Sequence, residues 1–123
     1  MEINIVTGHI VDAAMKVHSE LGPGLLESAY EACMIHELRK RAIQVRNQVE
    51  QMINYDGMVL DVGYRLDLLV EEIVIIELKS VDELAPIHKA QLLSYLRLSK
   101  KKIGLLLNFN VERMKDGIIR LAN

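Results

Sequence analysis

Tryptophan is absent, phenylalanine occurs once, and aromatics make up only 4% of the 123 residues. Any core must therefore be filled by Leu, Ile, Val, Ala and the six methionines. A single cysteine, Cys33, excludes an intrachain disulfide and any four-cysteine metal or iron–sulfur site built from one chain. That usage fits a reducing compartment. Excess positive charge is also missing: 15 Lys and Arg stand against 17 Asp and Glu, a formal net charge of −2. The chain as a whole is not a basic nucleic-acid-coating protein, although a local basic surface stays open. No stretch approaches the ~18 uninterrupted apolar residues of a membrane span. The opening MEINIVTGHIVDAAMK lacks a basic region followed by a long apolar one. The expectation is a soluble, cytoplasmic protein with no membrane partner. Low-complexity tracts, internal repeats and Pro/Gly/Ser-rich linkers are missing too.

What remains is a chain whose residues are 50% hydrophobic and whose length suits one domain over residues 1–123. Ile3, Val6, Ile10, Ala14, Val17 and Leu21 recur at helical spacing, and Gly22-Pro23-Gly24 ends that helix. A second helix is expected from about Leu25 to Ala42, with Leu26, Ala29, Cys33 and Leu38 facing inward. Two strand-like runs from Val45 flank Asp56-Gly57, a strong hairpin signal. Strict alternation over Tyr64 to Val70 puts Tyr64, Leu66, Leu68 and Val70 on one face and Arg65, Asp67 and Leu69 on the other. Along IVIIELK, Val74, Ile76 and Leu78 oppose Ile73, Ile75, Glu77 and Lys79, and both faces are apolar enough for a central strand. Pro86 opens a third helix to about Ser99, with Leu92, Tyr95 or Leu96, and Leu98 inward. Ile103 to Asn108 reads as a buried strand, followed by a turn at Lys115-Asp116-Gly117 and a last strand, Ile118 to Leu121. The order ααββββαβ, with one further edge strand, makes an α/β fold: a mixed sheet flanked by helices.

The chemistry-bearing feature is Glu77-Leu78-Lys79 at the end of the most apolar strand, with Asp67 ten residues before Glu77. Burying such charges is costly without compensation. Two carboxylates on one sheet face make a hard-oxygen site suited to Mg²⁺ or Mn²⁺. Lys79 projects from the face of Glu77, where it could stabilise developing phosphoryl charge. The plainer alternative is a Glu77–Lys79 ion pair at a strand end, with Asp67 solvated. Convergence also demands a particular turn. A two-residue turn at Glu71-Glu72 would set Asp67 opposite Ile76 and send Glu77 to the wrong face. The pair therefore predicts a three-residue loop or a bulge.

Asp67, nine intervening residues, then Glu77-x-Lys79 resembles the core of PD-(D/E)xK nucleases. Gly24-Leu25-Leu26-Glu27-Ser28-Ala29-Tyr30 is similar to the GxxExxY signature of a family of small bacterial and archaeal proteins assigned to that superfamily. Gln91-Leu92-Leu93-Ser94-Tyr95 resembles the Q-x-x-x-Y motif on the helix after the catalytic strand of RecB-like nucleases. The resemblance runs through nearly the whole chain and implies a restriction-endonuclease-like core. It implies Asp67, Glu77 and the backbone carbonyl of Leu78 as metal ligands, with Glu27 adding a carboxylate to the ion or its water. It implies that Lys79 positions the attacking water and steadies the transition state. Gln91 and Tyr95 would orient the site or touch the nucleic-acid backbone, and Tyr30 would support it. Leu66 stands where the superfamily often has Pro. The cysteines of the iron–sulfur members are missing, so no cluster is expected.

Each role has a bland competitor. Glu27 in the first turn of its helix complements the dipole and could form a capping box with Gly24 as N-cap. Tyr30 and Tyr95 are commonly half-buried packing residues. His9, His18, His36 and His88 have no ligand spacing, and Cys33 suits a core position. Arg39-Lys40-Arg41 and Lys100-Lys101-Lys102 are solvated faces unless they flank the acidic site and meet phosphates. Two functions compete. One is a Mg²⁺- or Mn²⁺-dependent nuclease acting on nucleic acid, DNA before RNA. The other is a catalytically silent module of the same fold that binds nucleic acid or a protein. Completeness of Glu27, Asp67, Glu77 and Lys79 favours the enzyme. The scarcity of residues beyond the core suggests that a homo-oligomer or a protein partner supplies substrate grip.

Overall fold

The computed structural model describes residues 1–123. Helices α1 (Ile3–Leu21) and α2 (Glu27–Lys40) lead into strands β1 (Val45–Glu50), β2 (Ile53–Tyr55), β3 (Met58–Leu60), β4 (Arg65–Val70) and β5 (Val74–Lys79). Helix α3 (Pro86–Ser99), β6 (Ile103–Asn108), a 3-10 turn (Met114–Gly117) and β7 (Ile118–Ala122) complete the chain. Five strands form one sheet in the order β1-β4-β5-β6-β7, while β2 and β3 form a separate hairpin across Asp56-Gly57. Only the β5–β6 pair is parallel, with α3 as its crossover. This is the expected mixed α/β sheet flanked by helices. The first strand-like run is divided at Gln51-Met52, so five strands rather than four precede α3.

The sheet is covered on both faces. Val6, Ile10, Ala13, Ala14 and Val17 of α1 and Tyr30, Met34 and Leu38 of α2 pack on Leu68, Val70, Val74, Ile76, Leu78, Leu105 and Leu107. On the other face, Leu92, Tyr95 and Leu96 of α3 pack on Leu66, Leu69, Ile75 and Leu106. Gly104 lets α3 come close: a Cβ there would stand 2.8 Å from the Leu92 side chain. Helix α2 corrects the expected inward set. Leu26 is 78% exposed and lies outside the helix as its N-cap, and the buried stripe runs through Tyr30, Met34 and Leu38. Ala29 and Cys33 are half-buried beside that stripe, and Leu98 of α3 is half-buried rather than core.

A second correction concerns alternation. Leu66 joins the α3-side cluster, whereas Leu68 joins the cluster under α1 and α2. Residues two apart on one strand should share a face. The same exchange occurs in β1, where Val45 packs to the α1 side and Val49 to the α3 side. Both strands change faces at one register step. Asn47 pairs with Leu68 and Val49 with Leu66, but the step between them, Gln48 and Asp67, is unpaired. Gln48 there has φ +51°, in the left-handed region that non-glycine residues seldom occupy.

Beyond β5, Asn108 organises the following loop. Its side chain accepts from Val81 N–H at 3.1 Å and donates to Val81 C=O at 2.9 Å. Gly117 presses on the same residue, and a Cβ there would come 2.0 Å from the Asn108 carbonyl oxygen. Backbone cannot yield as a side-chain tip can. Gly117→Ala is therefore expected to cost about 3 kcal/mol or more, at the upper end of overpacking effects, and a denaturant melt of the variant reads it directly. A loss near zero would mean that the 3-10 turn shifts freely.

Candidate active site

The β4–β5 hairpin closes with Val70 opposite Val74, enclosing the three-residue loop Glu71, Glu72 and Ile73. Glu71 and Glu72 take left-handed conformations, φ 52° and 58°. Neighbours hold the turn: Glu71 accepts from Gln44 N–H at 2.6 Å, and Glu72 binds Arg46 through two hydrogen bonds of 2.7 and 2.8 Å. This loop gives the odd offset that brings Asp67 level with Glu77.

At that level the two strands no longer pair through their backbones, the last pair being Leu68 with Ile76. Carboxylates take over. Leu78 N–H donates to Asp67 Oδ2 at 2.8 Å, and Asp67 N–H donates to Glu77 Oε1 at 3.4 Å. The side chains thus occupy a split in the sheet at the C-terminal end of β5. Glu77 is 4% exposed. Burial, and then the negative charge and hydrogen bond of Asp67, push its carboxyl up to about 9. At neutral pH Glu77 therefore keeps a proton.

Lys79 lies two residues on and half-buried. Neither it nor Glu77 joins any of the ion pairs in the molecule, so the strand-end ion pair that competes with a functional reading does not form. On its backbone, Lys79 C=O accepts from Phe109 N–H at 3.0 Å, which ties this strand end to the Asn108 loop.

Glu27 is the first residue of α2, and its carboxylate accepts from Ser80 N–H at 3.3 Å, just past β5. Leu26, not Gly24, is the N-cap, and no side chain caps the helix. The capping-box alternative for Glu27 is therefore not realised. Tyr30 explains the placement. Fully buried and stacked on Phe109 with ring centroids 4.4 Å apart, it accepts from Leu25 N–H at 3.1 Å and donates to Gly22 C=O at 2.7 Å. Ser80 Oγ donates to Leu25 C=O at 2.7 Å and closes the same turn.

Glu27 and Asp67 line one cleft of about 140 Å³ with Ser28, Glu31, Gln48 and Leu78. That is room for several waters at roughly 30 Å³ each. Glu77 reaches Asp67 from the side of α3. There Gln91 donates to the Tyr95 hydroxyl at 3.2 Å. Burial and the charges of Glu77 and Asp67 raise the Tyr95 hydroxyl above its ordinary pKa. Asp67 is thus the carboxylate common to both sides.

No three His, Cys, Asp or Glu side chains stand arranged to hold a metal ion. The donor chemistry nevertheless fits a hard divalent cation: oxygen donors only, and a carboxyl pair whose shared charge is balanced here by a proton. The basic runs stand elsewhere. Lys100-Lys101-Lys102 precedes β6 at the opposite end of the sheet from Lys79, about 16 Å away along a six-residue strand. Arg39-Lys40-Arg41 ends α2, roughly 20 Å from Glu27. There Lys40 pairs with Glu37, and Arg41 lies near Asp12. Both runs are solvated faces.

Glu31 and Gln48 are cleft residues that the sequence reading passed over. Glu31 had a signal, since it lies four residues after Glu27 on one helix face. Gln48 had none, because its place depends on the left-handed kink. Its amide donates to Glu31 at 2.7 Å. Strain of this sort costs of order 1 kcal/mol or more. Gln48→Gly is expected to keep the kink and raise stability by up to about 1 kcal/mol while removing the amide from the cleft. A drop in melting temperature would show that the Glu31 contact outweighs the strain.

No curated protein and no solved structure matches the chain. No helix is long and apolar enough to cross a membrane. Residues 4–121 match the family model of the PD-(D/E)XK nuclease superfamily, a span that takes in both sides of the split strand end with Glu27, Asp67, Glu77 and Lys79. On that match the chain belongs to the PD-(D/E)XK nuclease superfamily.

Proposed function

We propose that residues 1–123 act as one domain that hydrolyses phosphodiester bonds in DNA with the help of Mg²⁺ or Mn²⁺, as a GxxExxY-type member of its superfamily. The observation that carries this reading is the contact of Asp67 with Glu77 in the split strand end, beside a lysine that joins no ion pair. Asp67, Glu77 and the Leu78 carbonyl are the residues that would hold the ion, with Glu27 across the cleft from Asp67. When bound, the ion would supply a Lewis acid that neutralises phosphate charge and lowers the pKa of water. The protein's own part is positional. Glu77 gives up its proton to make room for positive charge. Lys79 keeps its ammonium for the attacking water and the charge that grows on phosphorus. Gln91 holds the Tyr95 hydroxyl, and Tyr95 closes the α3 side against bulk water. Tyr30 and Ser80 fix the turn that presents Glu27.

A second reading, a silent module that binds nucleic acid or a protein, draws on one observation. Both basic runs lie far from the site, so substrate grip must come from few cations, from a partner or from a second copy. Purified protein incubated with single- and double-stranded DNA and RNA, with Mg²⁺, Mn²⁺ or a chelator, separates the two. Cleavage that the chelator stops supports the enzyme. Binding without cleavage on every substrate transfers the site to the second reading.

A further inference from the structure

A groove of about 700 Å³ lies between α3 and the chain leading into β4, with Ile53, Tyr64, Ile87, Gln91, Tyr95 and Arg97 among its lining. It opens beside the carboxylate pair, because Tyr95 belongs both to the groove and to the surroundings of Glu77. Tyr64 stands three residues before Asp67, 43% exposed, with its ring 6.1 Å from that of Tyr95 and inclined by 60°. Ile87 is 69% exposed at the same groove. No carboxylate lines it, although the chain as a whole is acidic; its one permanently charged residue is Arg97.

We propose that this groove seats unpaired bases of single-stranded DNA, with Tyr64 as the stacking platform and Arg97 as the phosphate contact. The inference rests on the nuclease reading for its ligand and goes beyond it in naming the strand state. Duplex DNA hides base faces in its own stack and offers an outside of closely spaced phosphates, which a protein meets with many cations. This groove offers one guanidinium, an exposed aromatic ring and aliphatic walls. Single strands are held in that way, bases on aromatic rings and backbone on a few cations.

Binding of a fluorescent poly-dT strand of about 20 nucleotides in chelator, measured by anisotropy at fixed salt, tests the proposal without cleavage. The strand should bind at least tenfold more tightly than a blunt duplex of equal length. Tyr64→Ala should lose about tenfold or more of that affinity, and Tyr64→Phe should keep it, since stacking needs the ring and not the hydroxyl. The partly exposed position of Tyr64 lets the alanine variant fold, and Tyr64→Phe controls for packing. Equal affinity of wild type and Tyr64→Ala, tighter binding of the duplex, or tighter binding of poly-U would each overturn it. The two readings fail separately. Loss of stacking in Tyr64→Ala with no cleavage by wild type supports the groove and removes the enzyme. Chelator-sensitive cleavage with binding indifferent to Tyr64 removes the groove and leaves the enzyme.

Discussion

Lys79→Ala should lower the cleavage rate on the order of a hundredfold or more, the scale expected when a preorganised charge is taken from a transition state. The protein should otherwise be little changed. Lys79 makes no ion pair, is half-buried and follows the core residue Leu78, so its ammonium contributes little to folding. Its removal should leave the melting temperature almost where it was, and the metal-induced shift intact, because lysine is no ligand. Nucleic-acid affinity should fall modestly, as one phosphate contact among several. Lys79→Arg keeps the charge but spreads it over a planar fork, and should recover only part of the rate. Cleavage at the wild-type rate by Lys79→Ala would remove this lysine from the mechanism while leaving the fold untouched.

The second large effect lies in pH. Glu77 is pushed from 4.5 in its ordinary state up to about 9 in the fold. Between those values the folded protein holds a proton that the unfolded chain has released. The contribution of this group to stability is therefore complete below about 4.5 and is lost as pH rises through about 9. Glu77→Gln keeps the shape and removes the titration. Its melting temperature should rise relative to wild type as pH goes from 5 to 9, ending several degrees higher, since about 1 kcal/mol is worth roughly 4 °C in a domain of this size. Divalent ions should reverse the order. An ion that binds only the folded, deprotonated pair stabilises wild type increasingly toward pH 9. It should leave Glu77→Gln and Asp67→Asn almost unchanged. A difference between Glu77→Gln and wild type that stays flat with pH would show that Glu77 ionises freely in the fold. Equal ion-induced shifts in all three proteins would place the ion elsewhere.

The elements were legible because their punctuation is local. Gly22-Pro23-Gly24 ends α1, Pro86 starts α3, and Asp56-Gly57 turns the small hairpin, each acting through backbone geometry that one or two residues impose. The turn before β5 was legible for a different reason: two carboxylates can meet there only through a three-residue loop or a bulge, and the loop is what forms. What escaped was long-range. Gln48 and Asp67 exchange the faces of β1 and β4 together, and no pattern within either strand announces it, since Leu66 and Leu68 look alike under strict alternation. The inward face of α2 was misjudged because Leu26 reads as apolar and helical, while the helix begins after it with Glu27 directed at Ser80. Tyr64 and the groove could not be read at all, because the groove joins residues from β2, the approach to β4 and α3.

The kink at Gln48 also bears on how this chain keeps apart from other copies of itself. β1 is an outer strand of the sheet, and its free side offers the unsatisfied amides and carbonyls on which intermolecular β-assembly starts. A strand docking there would find Val45 to Asn47 in register, then meet a residue at φ +51° that turns the backbone away. Pairing is cut to short stretches on either side, flanked by the charges of Arg46 and Glu50. The feature that opens the cleft toward Asp67 thus also acts as an aggregation guard on one of the sheet's two borders. Replacements that straighten β1 would extend an adhesive edge as well as close the cleft.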